Sequence, residues 1–206
     1  MSMKKLLVVC LILLHTIAIC AQTSQNAIIT KINSAVSKIE TMQCDFVQTK
    51  HMKMLNNKMV STGCMKYQKS DKLRWEYKTP YTYVFIINGS KVSISKGSRK
   101  DVIDVNQNKV FKSIAEIMMN SVVGKCLTNN KDFKVSMTES SSQWIATLIP
   151  QKKELKQMYS KILLYFGKSN SIIQKVEMFE KNGDKTVIEL KNVKLNNPVG
   201  ANAFIS

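Results

Sequence analysis

Residues 72–94, KLRWEYKTPYTYVFIINGSKVSI, constrain the fold of this chain more than any other stretch. Leu73, Trp75 and Tyr77 alternate with charged residues, which is the period-two pattern of a strand with one buried face. A Thr-Pro pair then ends the run, because proline has no N–H group to donate to a neighbouring strand. The run after it, YTYVFII, is almost wholly apolar, so both of its faces must be covered.

A turn signal follows these two strands. Asn88-Gly89 predicts a tight hairpin turn, because both residues can supply the positive φ that its central positions need. The chain then returns through Lys91 to Ser95 with apolar residues on one face. We predict that nine side chains line one concave face suited to apolar ligands: Phe46, Leu73, Trp75, Tyr77, Tyr83, Phe85, Ile87, Val92 and Ile94.

The first residues predict export. Lys4 and Lys5 precede an uncharged, largely apolar run over residues 6–19, and Cys20-Ala21 follows, which is the layout of a secretory signal peptide. The run is shorter than the ~20 apolar residues of a membrane span. We expect cleavage after Ala21, which leaves residues 22–206 as a single exported domain. A lipid anchor on Cys20 is the alternative.

The rest of the chain predicts one helix followed by many strands. Ile28, Ile32, Val36 and Ile39 recur at the spacing of an amphipathic helix. Apolar and alternating runs separated by polar turns predict further strands near residues 46–47, 60–67, 133–137, 144–149, 159–166, 172–179 and 186–195. Consecutive strands with short turns argue for one antiparallel sheet, curled or closed.

One helical insert interrupts the strands. Residues 111–124, FKSIAEIMMNSVVG, place five apolar side chains on one helical face: Phe111, Ile114, Ile117, Met118 and Val122. An ordinary helix capping one end of the sheet explains this pattern. A movable lid over the concave face explains it too, and flexible methionine thioethers favour the lid slightly.

Charge and cysteine content limit the classes of partner. The formal net charge falls from +17 to +15 when Lys4 and Lys5 leave with the signal peptide. This charge fits either a soluble basic exported protein or one that approaches anionic membrane surfaces. Export argues against a nucleic-acid partner. Of the remaining cysteines, Cys44 and Cys64 could form one disulfide, and the alternative is three buried apolar thiols.

Signals for catalysis and metal binding are lacking. His51 is the only histidine outside the predicted signal peptide, and the sequence contains no C-x-x-C pair and no phosphate-binding or nucleophile motif. We therefore expect a binding protein with no catalytic residues, no metal site and no cofactor.

Several segments resemble LolA-type outer-membrane lipoprotein carriers. They are CDFVQTK at Cys44 to Lys50, Gly63 before a strand, LRWEYxxP at Leu73 to Pro80, and IING at Ile86 to Gly89. The resemblance implies mainly β structure with helices: an incomplete antiparallel β-barrel whose concave apolar face the helices cover. It also implies a periplasmic shuttle for acylated lipoproteins, with an inner-membrane release complex and an outer-membrane acceptor as partners. We expect a monomer.

The chain departs from this family at the expected lid latch. The family places an arginine, followed by proline, at the end of the strand before the tryptophan strand, where it holds the lid closed. Lys69 and Ser70 occupy those positions here. Lys69 is therefore either a weaker latch or a plain surface lysine. Two other functions stay open, a carrier of other envelope lipids or pigments and a module that senses lipids or lipoproteins.

Overall fold

The computed structural model describes residues 25–69, 71–107, 119, 125–128 and 131–205. The predicted signal peptide lies outside these residues. The five lid positions, Phe111, Ile114, Ile117, Met118 and Val122, lie outside them as well. The predicted cleavage and the predicted lid therefore stay predictions.

Eleven antiparallel strands form one sheet that is not closed into a barrel. Their order across the sheet is β6-β5-β4-β3-β2-β1-β11-β10-β9-β8-β7, so the first and last strands pair at its centre. The strands are β1 Thr41–Met52, β2 Asn57–Gln68, β3 Lys72–Thr79, β4 Tyr83–Asn88, β5 Lys91–Lys96, β6 Arg99–Asp104, β7 Phe133–Glu139, β8 Gln143–Pro150, β9 Tyr159–Gly167, β10 Ile173–Glu180 and β11 Lys185–Leu195. This confirms the predicted curled antiparallel sheet.

The first helix, α1, spans residues 25–36 and packs on the concave face of the sheet. Ile32 and Val36 are buried there, and Ile39 follows them into the core just after the helix ends. The three- and four-residue spacing of these side chains gives α1 one apolar stripe, and the sheet covers that stripe. A short helix, α2 (Lys153–Met158), lies between β8 and β9.

The hairpin after β4 differs in detail from the prediction. Gly89 adopts a φ of +61°, but Asn88 is the last residue of its strand and pairs with Lys91. The two turn residues are therefore Gly89 and Ser90. Asn88 does not need positive φ, and a glycine at the first turn position is sufficient.

The apolar run in β4 is covered on both faces, as its composition requires. Phe85 and Ile87 face the core, whereas Ile86 is buried on the opposite face. There the C-terminal 3-10 turn Ala201–Phe204 contacts β3 and β4. The apolar residue on the outer face of β4 is therefore explained by packing against the chain's own C-terminal segment.

Of the two alternatives that the sequence left open for the cysteines, the structure excludes the disulfide between Cys44 and Cys64. Cys44 lies opposite Met65 in the β1–β2 pairing, and Cys64 lies opposite Asp45. Because neighbouring residues of a strand point to opposite faces, this register sends the two thiols to opposite sides of the sheet. Both cysteines are free, as is Cys126, and burial raises the pKa of the Cys44 and Cys126 thiols to about 12.

Candidate functional site

Four aromatic side chains form a continuous wall on the concave face; we call Phe46, Trp75, Tyr77 and Tyr83 the aromatic wall. The Phe46 ring stacks on Trp75 with ring centroids 4.3 Å apart and meets Tyr77 edge-on at 5.2 Å. Tyr83 lies 5.9 Å from Tyr77 on the next strand. Rings in these offset and edge-on arrangements pack favourably and hold one another in place.

Strand register explains why the wall forms. Trp75 pairs with Phe85 and Tyr77 pairs with Tyr83 across β3 and β4. Pairing of β4 with β5 adds the next apolar column to the same face. All nine residues predicted for the concave face lie on it: Phe46, Leu73, Trp75, Tyr77, Tyr83, Phe85, Ile87, Val92 and Ile94. Lipid binding by these residues stays a prediction.

Gly63 makes room for the wall. It lies within β2, not before a strand, and directly opposite Phe46. A Cβ atom at this position would lie 2.5 Å from Phe46 Cζ and 2.0 Å from the carbonyl oxygen of Glu76. The absence of a side chain therefore lets the Phe46 ring lean across β2 towards Trp75.

Polar groups interrupt the apolar face beside the wall. Gln48 lies opposite the buried Ser61 in the β1–β2 pairing, and its Oε1 accepts a hydrogen bond from the Tyr77 hydroxyl at 2.9 Å. Trp75 is 7% exposed, and its indole and the Gln48 amide both act on the Tyr77 hydroxyl through side-chain hydrogen bonds that lower the pKa of Tyr77 against the larger effect of burial. Burial raises the pKa of both Tyr77 and Tyr83, so these phenols stay neutral.

Lys50 is the basic residue nearest to this polar group along β1. Its Nζ lies 3.2 Å from Glu180 Oε2 and 3.6 Å from Asp184 Oδ2. The ammonium is thus neutralised by two carboxylates at the end of the sheet where β10 turns into β11. The concave face close to the wall offers neutral hydrogen-bonding groups.

Sequence reasoning missed the other half of the concave face. It chose residues from β1 and β3–β5, yet inward-facing side chains continue along β7–β11. The same alternation was visible there in the sequence, but no aromatic cluster drew attention to it. The missed core residues include Trp144, Ala146, Leu148, Ile162, Leu164, Phe166, Val176 and Met178.

Lys69 follows directly after β2, as predicted, and holds the end of α1. Its Nζ pairs with the Glu40 carboxylate and approaches the carbonyl oxygen of Ser37 at 3.4 Å. Its backbone N–H donates to the carbonyl oxygen of Glu40 at 2.7 Å. A cation near the last carbonyls of a helix is favourable. Apart from Met119, the insert that Lys69 was predicted to latch lies outside the described residues, so that role stays a prediction.

The described residues show neither a metal-binding cluster nor a membrane-spanning helix. No group of three or more His, Cys, Asp or Glu side chains there is arranged to hold a metal ion. Over the same residues, no helix combines the length and apolar character needed to span a membrane.

Sequence comparison gives one family and several relatives. The family model described as outer membrane lipoprotein carrier protein LolA matches residues 37–205. An outer-membrane lipoprotein carrier protein of Legionella pneumophila (strain Corby) is 28% identical over 203 residues, which cover 98% of this chain and 94% of that protein. One of Nitrosospira multiformis is 22% identical over 182 residues, covering 85% and 82%.

Solved structures share the fold at low sequence identity. MucB in the Pseudomonas aeruginosa MucA/MucB complex superimposes with a TM-score of 0.53 at 11% identity, over 87% of this chain and 60% of that one. An uncharacterized conserved protein from Thermus thermophilus gives a TM-score of 0.52 at 9% identity, over 86% and 91%.

Proposed function

Because this chain belongs to the outer-membrane lipoprotein carrier family, we propose that it shuttles acylated lipoproteins through the periplasm from the inner to the outer membrane. The acyl chains lie on the concave face, against the aromatic wall. The observation that supports this most directly is the largely apolar and aromatic surface that β1 to β5 present to the interior of the curled sheet. An inner-membrane release complex and an outer-membrane acceptor are the proposed partners.

The free energy of acyl binding limits how such a carrier can work. Burying one methylene is worth ~0.8 kcal/mol, so a single long acyl chain offers ~10 kcal/mol. Two or three chains bound at full strength would hold the cargo too tightly to be released. Part of the gain must therefore be offset by a cost that arises on binding.

Displacement of the protein's own apolar cover supplies that cost in our proposal. Side chains of α1 such as Ile32 and Val36 already occupy part of the concave face. The insert with Ile114, Ile117 and Met118 is the proposed movable lid. Cargo and cover then compete for one surface, and uncovering apolar side chains costs free energy of the same kind that acyl burial gains.

Substitution of Trp75 tests the proposed binding face. Trp75→Glu should abolish uptake of a fluorescent acyl probe while the protein stays folded, because a carboxylate in a dry cavity is costly but a cavity that opens can hydrate it. Thr49→Glu is the matched control, since it adds the same charge to the opposite face of β1. We expect Thr49→Glu to bind the probe as the wild type does. Normal uptake by Trp75→Glu would refute binding on this face.

The proposed location has its own test. Fractionation of cells and intact-mass measurement should find a soluble periplasmic species that lacks residues 1–21. Recovery only from the membrane pellet, with a lipid-modified Cys20, would show the anchored form instead.

The cargo is best identified by native mass spectrometry of protein purified from its own periplasm. A bound mass equal to that of an acylated lipoprotein supports lipoprotein transport. Bound phospholipid or pigment with no lipoprotein would replace it with a carrier of other envelope lipids. A soluble regulatory protein as the sole bound partner would favour a sensing module.

A further inference from the structure

The turn between β1 and β2 differs in composition from three other hairpin turns of the molecule. Those turns are built from glycine and polar residues: Gly89-Ser90, Gly97-Ser98 and Asn182-Gly183. The β1–β2 turn instead has Met54 and Leu55 at its centre, and the Asn56 N–H closes it by donating to the Lys53 carbonyl oxygen at 3.3 Å. Met54 is 91% exposed and Leu55 is 70% exposed. Glycine, asparagine and serine suit such positions better, so the fold does not explain this apolar pair.

The β1–β2 turn projects beyond the neighbouring strand β3. β2 pairs with β3 only from Thr62 onwards, whereas it pairs with β1 from Asn57. Residues 57–60 therefore extend past that pairing, by about 13 Å at ~3.3 Å per residue. Val60 on this projecting part is 48% exposed. The two apolar side chains of the turn thus stand clear of β3 and face water.

The other side of the turn is braced by the hairpin of β10 and β11. The Lys53 backbone N–H donates to Asp184 Oδ1 at 3.0 Å. The Lys53 stem lies against Gly183, where a Cβ atom would come within 2.7 Å of Lys53 Cδ. The two carboxylates here, of Glu180 and Asp184, are 21% and 12% exposed and pair with Lys50. The turn is therefore held in place, and the acidic groups beside it are largely covered.

The charge around the turn is positive. Residues 46–70 contain no aspartate or glutamate, and Lys53 and Lys58 flank the turn. Both lysines are exposed, as is Lys181 in the adjacent β10–β11 turn. Basic residues close to a bilayer with anionic lipids are attracted to it. Exposed apolar side chains beside lysines are what amphipathic segments use to lie in the interface of such a bilayer.

A bilayer fits this surface better than a protein partner does. Stable protein interfaces bury about 1,200–2,000 Å² in total, which two side chains at the end of a hairpin do not supply. A bilayer needs no complementary pocket, because its interface adapts to the groups that enter it. Methionine is also flexible enough to pack against surroundings of variable shape.

We propose that the β1–β2 turn docks this protein on anionic membranes: Met54 and Leu55 enter the bilayer interface while Lys53 and Lys58 contact its headgroups. This inference goes beyond the proposed function, since it concerns direct contact with lipid at a surface outside the concave face. It also gives the net positive charge of the chain a place at which to act on a membrane.

Co-sedimentation with vesicles tests the docking. The protein, processed as it is in cells, should bind vesicles of phosphatidylethanolamine and phosphatidylglycerol, and high salt should weaken this binding by screening. Phosphatidylcholine vesicles should bind it far less. The double variant Lys53→Gln/Lys58→Gln should bind the anionic vesicles about thirtyfold more weakly, which corresponds to ~2 kcal/mol. Met54→Ser/Leu55→Ser should lose at least about tenfold, because it removes the apolar contact.

Matched variants control for charge and apolar content. Lys91→Gln/Lys194→Gln removes the same charge from exposed residues at the opposite end of the sheet and should keep most of the binding. Val102→Ser removes a 57% exposed apolar side chain from β6 and should bind as the wild type does. Lys53→Arg/Lys58→Arg keeps both positive charges and should also keep the binding.

A tryptophan placed in the turn reports insertion directly. Fluorescence of Leu55→Trp should be quenched by vesicles whose phosphatidylglycerol carries bromine on its acyl chains. Val102→Trp, at an exposed position of β6, should not be quenched beyond the wild type. The wild type corrects both signals for Trp75 and Trp144, which lie in the core.

Several outcomes would overturn the docking. They are a wild type that ignores anionic vesicles at low salt, equal losses in the two lysine double variants, and an unquenched Leu55→Trp. A protein crosslinked through position 55 in cells, with no vesicle binding, would assign the turn to a protein partner instead. Each of these results leaves acyl binding on the concave face untouched, because uptake of the acyl probe tests that face separately.

Discussion

The two faces of the sheet differ in what their side chains contact: apolar and aromatic packing dominates the concave face, whereas paired charges dominate the convex face of β9 to β11. On the concave face, β1 to β5 present an aromatic wall whose rings contact one another. On the convex face of β9 to β11, lysines, a glutamate and aromatic rings form a network in which the charged groups are paired. Alternating residues of similar strands build both surfaces.

The convex network is centred on Glu177. Its carboxylate accepts contacts from Lys175 at 3.0 Å and Lys185 at 3.1 Å. Lys175 also lies 3.7 Å from the ring centroid of Tyr165, and Lys185 lies 5.2 Å from that of Phe179. Lysine stems cover the aromatic rings while their charged heads pair with the glutamate or reach water.

This difference indicates which face can give up its own contacts at the lower cost in free energy. Breaking the convex network would separate several paired charges at once and gain nothing in return. Under the proposed function, uncovering the concave face costs mainly apolar burial, which a bound acyl chain restores. A carrier therefore needs one face that is stable in water and one that exchanges its own cover for cargo.

The largest expected effect comes from removing one aromatic ring from each face. Phe46→Ala should lower the free energy of unfolding by about 3–5 kcal/mol, because Phe46 is fully buried and its loss leaves a cavity beside Trp75. Phe179→Ala should cost about 1 kcal/mol, since that ring is only half-buried beneath Lys161 and Lys185. Urea unfolding measures both. Equal costs would show that the two faces do not differ as argued.

Gly63 gives the next largest effect. Gly63→Ala should destabilise the protein by about 2–3 kcal/mol, because the new methyl group overlaps Phe46 and the backbone of β3. Gly200→Ala is the control, since a Cβ atom there meets nothing within 4 Å. A fully stable Gly63→Ala protein would mean that the Phe46 ring can leave Trp75 at little cost.

The convex network predicts a dependence of stability on pH. Burial acts to raise the pKa of Glu177, but the hydrogen bonds and charges of Lys175 and Lys185 outweigh it and hold the pKa below the ordinary 4.5. Its contribution is therefore present above pH 4.5 and disappears as the pH falls through the lowered value. Glu177→Gln should cost about 1–2 kcal/mol at neutral pH and less at about pH 3.

Glu139→Gln serves as the matched control for this measurement. Glu139 pairs with Lys168 at 2.7 Å, but its side chain is 60% exposed, and exposed ion pairs contribute little. We expect its loss to leave stability nearly unchanged at every pH. A difference between wild type and Glu177→Gln that stays constant from neutral to acidic pH would show that the charge of Glu177 is not what stabilises the convex face.

The smallest expected change in stability comes from Lys69, which contacts the end of α1. Lys69→Leu should cost about 0.5 kcal/mol, because it removes a partly exposed ion pair with Glu40 and a cation near the Ser37 carbonyl. Hydrogen exchange should become faster near the end of α1, and Lys69→Arg should restore it. Faster exchange in residues 111–124 as well would support the latch hypothesis. Unchanged exchange in both segments would leave Lys69 a plain surface residue.

The sequence by itself determined the sheet and the residues of the aromatic wall. Alternation in β3, the proline after it and the glycine turn after β4 act over a few residues, so local pattern was sufficient to place Trp75, Tyr77, Tyr83 and Phe85 on one face. The same period-two rule placed the later strands, with boundaries within a few residues of those observed.

Only the tertiary structure decided how distant segments meet. The register between β1 and β2 separates Cys44 from Cys64 and brings Gln48 opposite Ser61. The C-terminal turn covers the outer face of β3 and β4, and Lys69 reaches Glu40. A one-residue shift in register reverses every side chain between faces, and such long-range pairing leaves no periodic signal in the sequence.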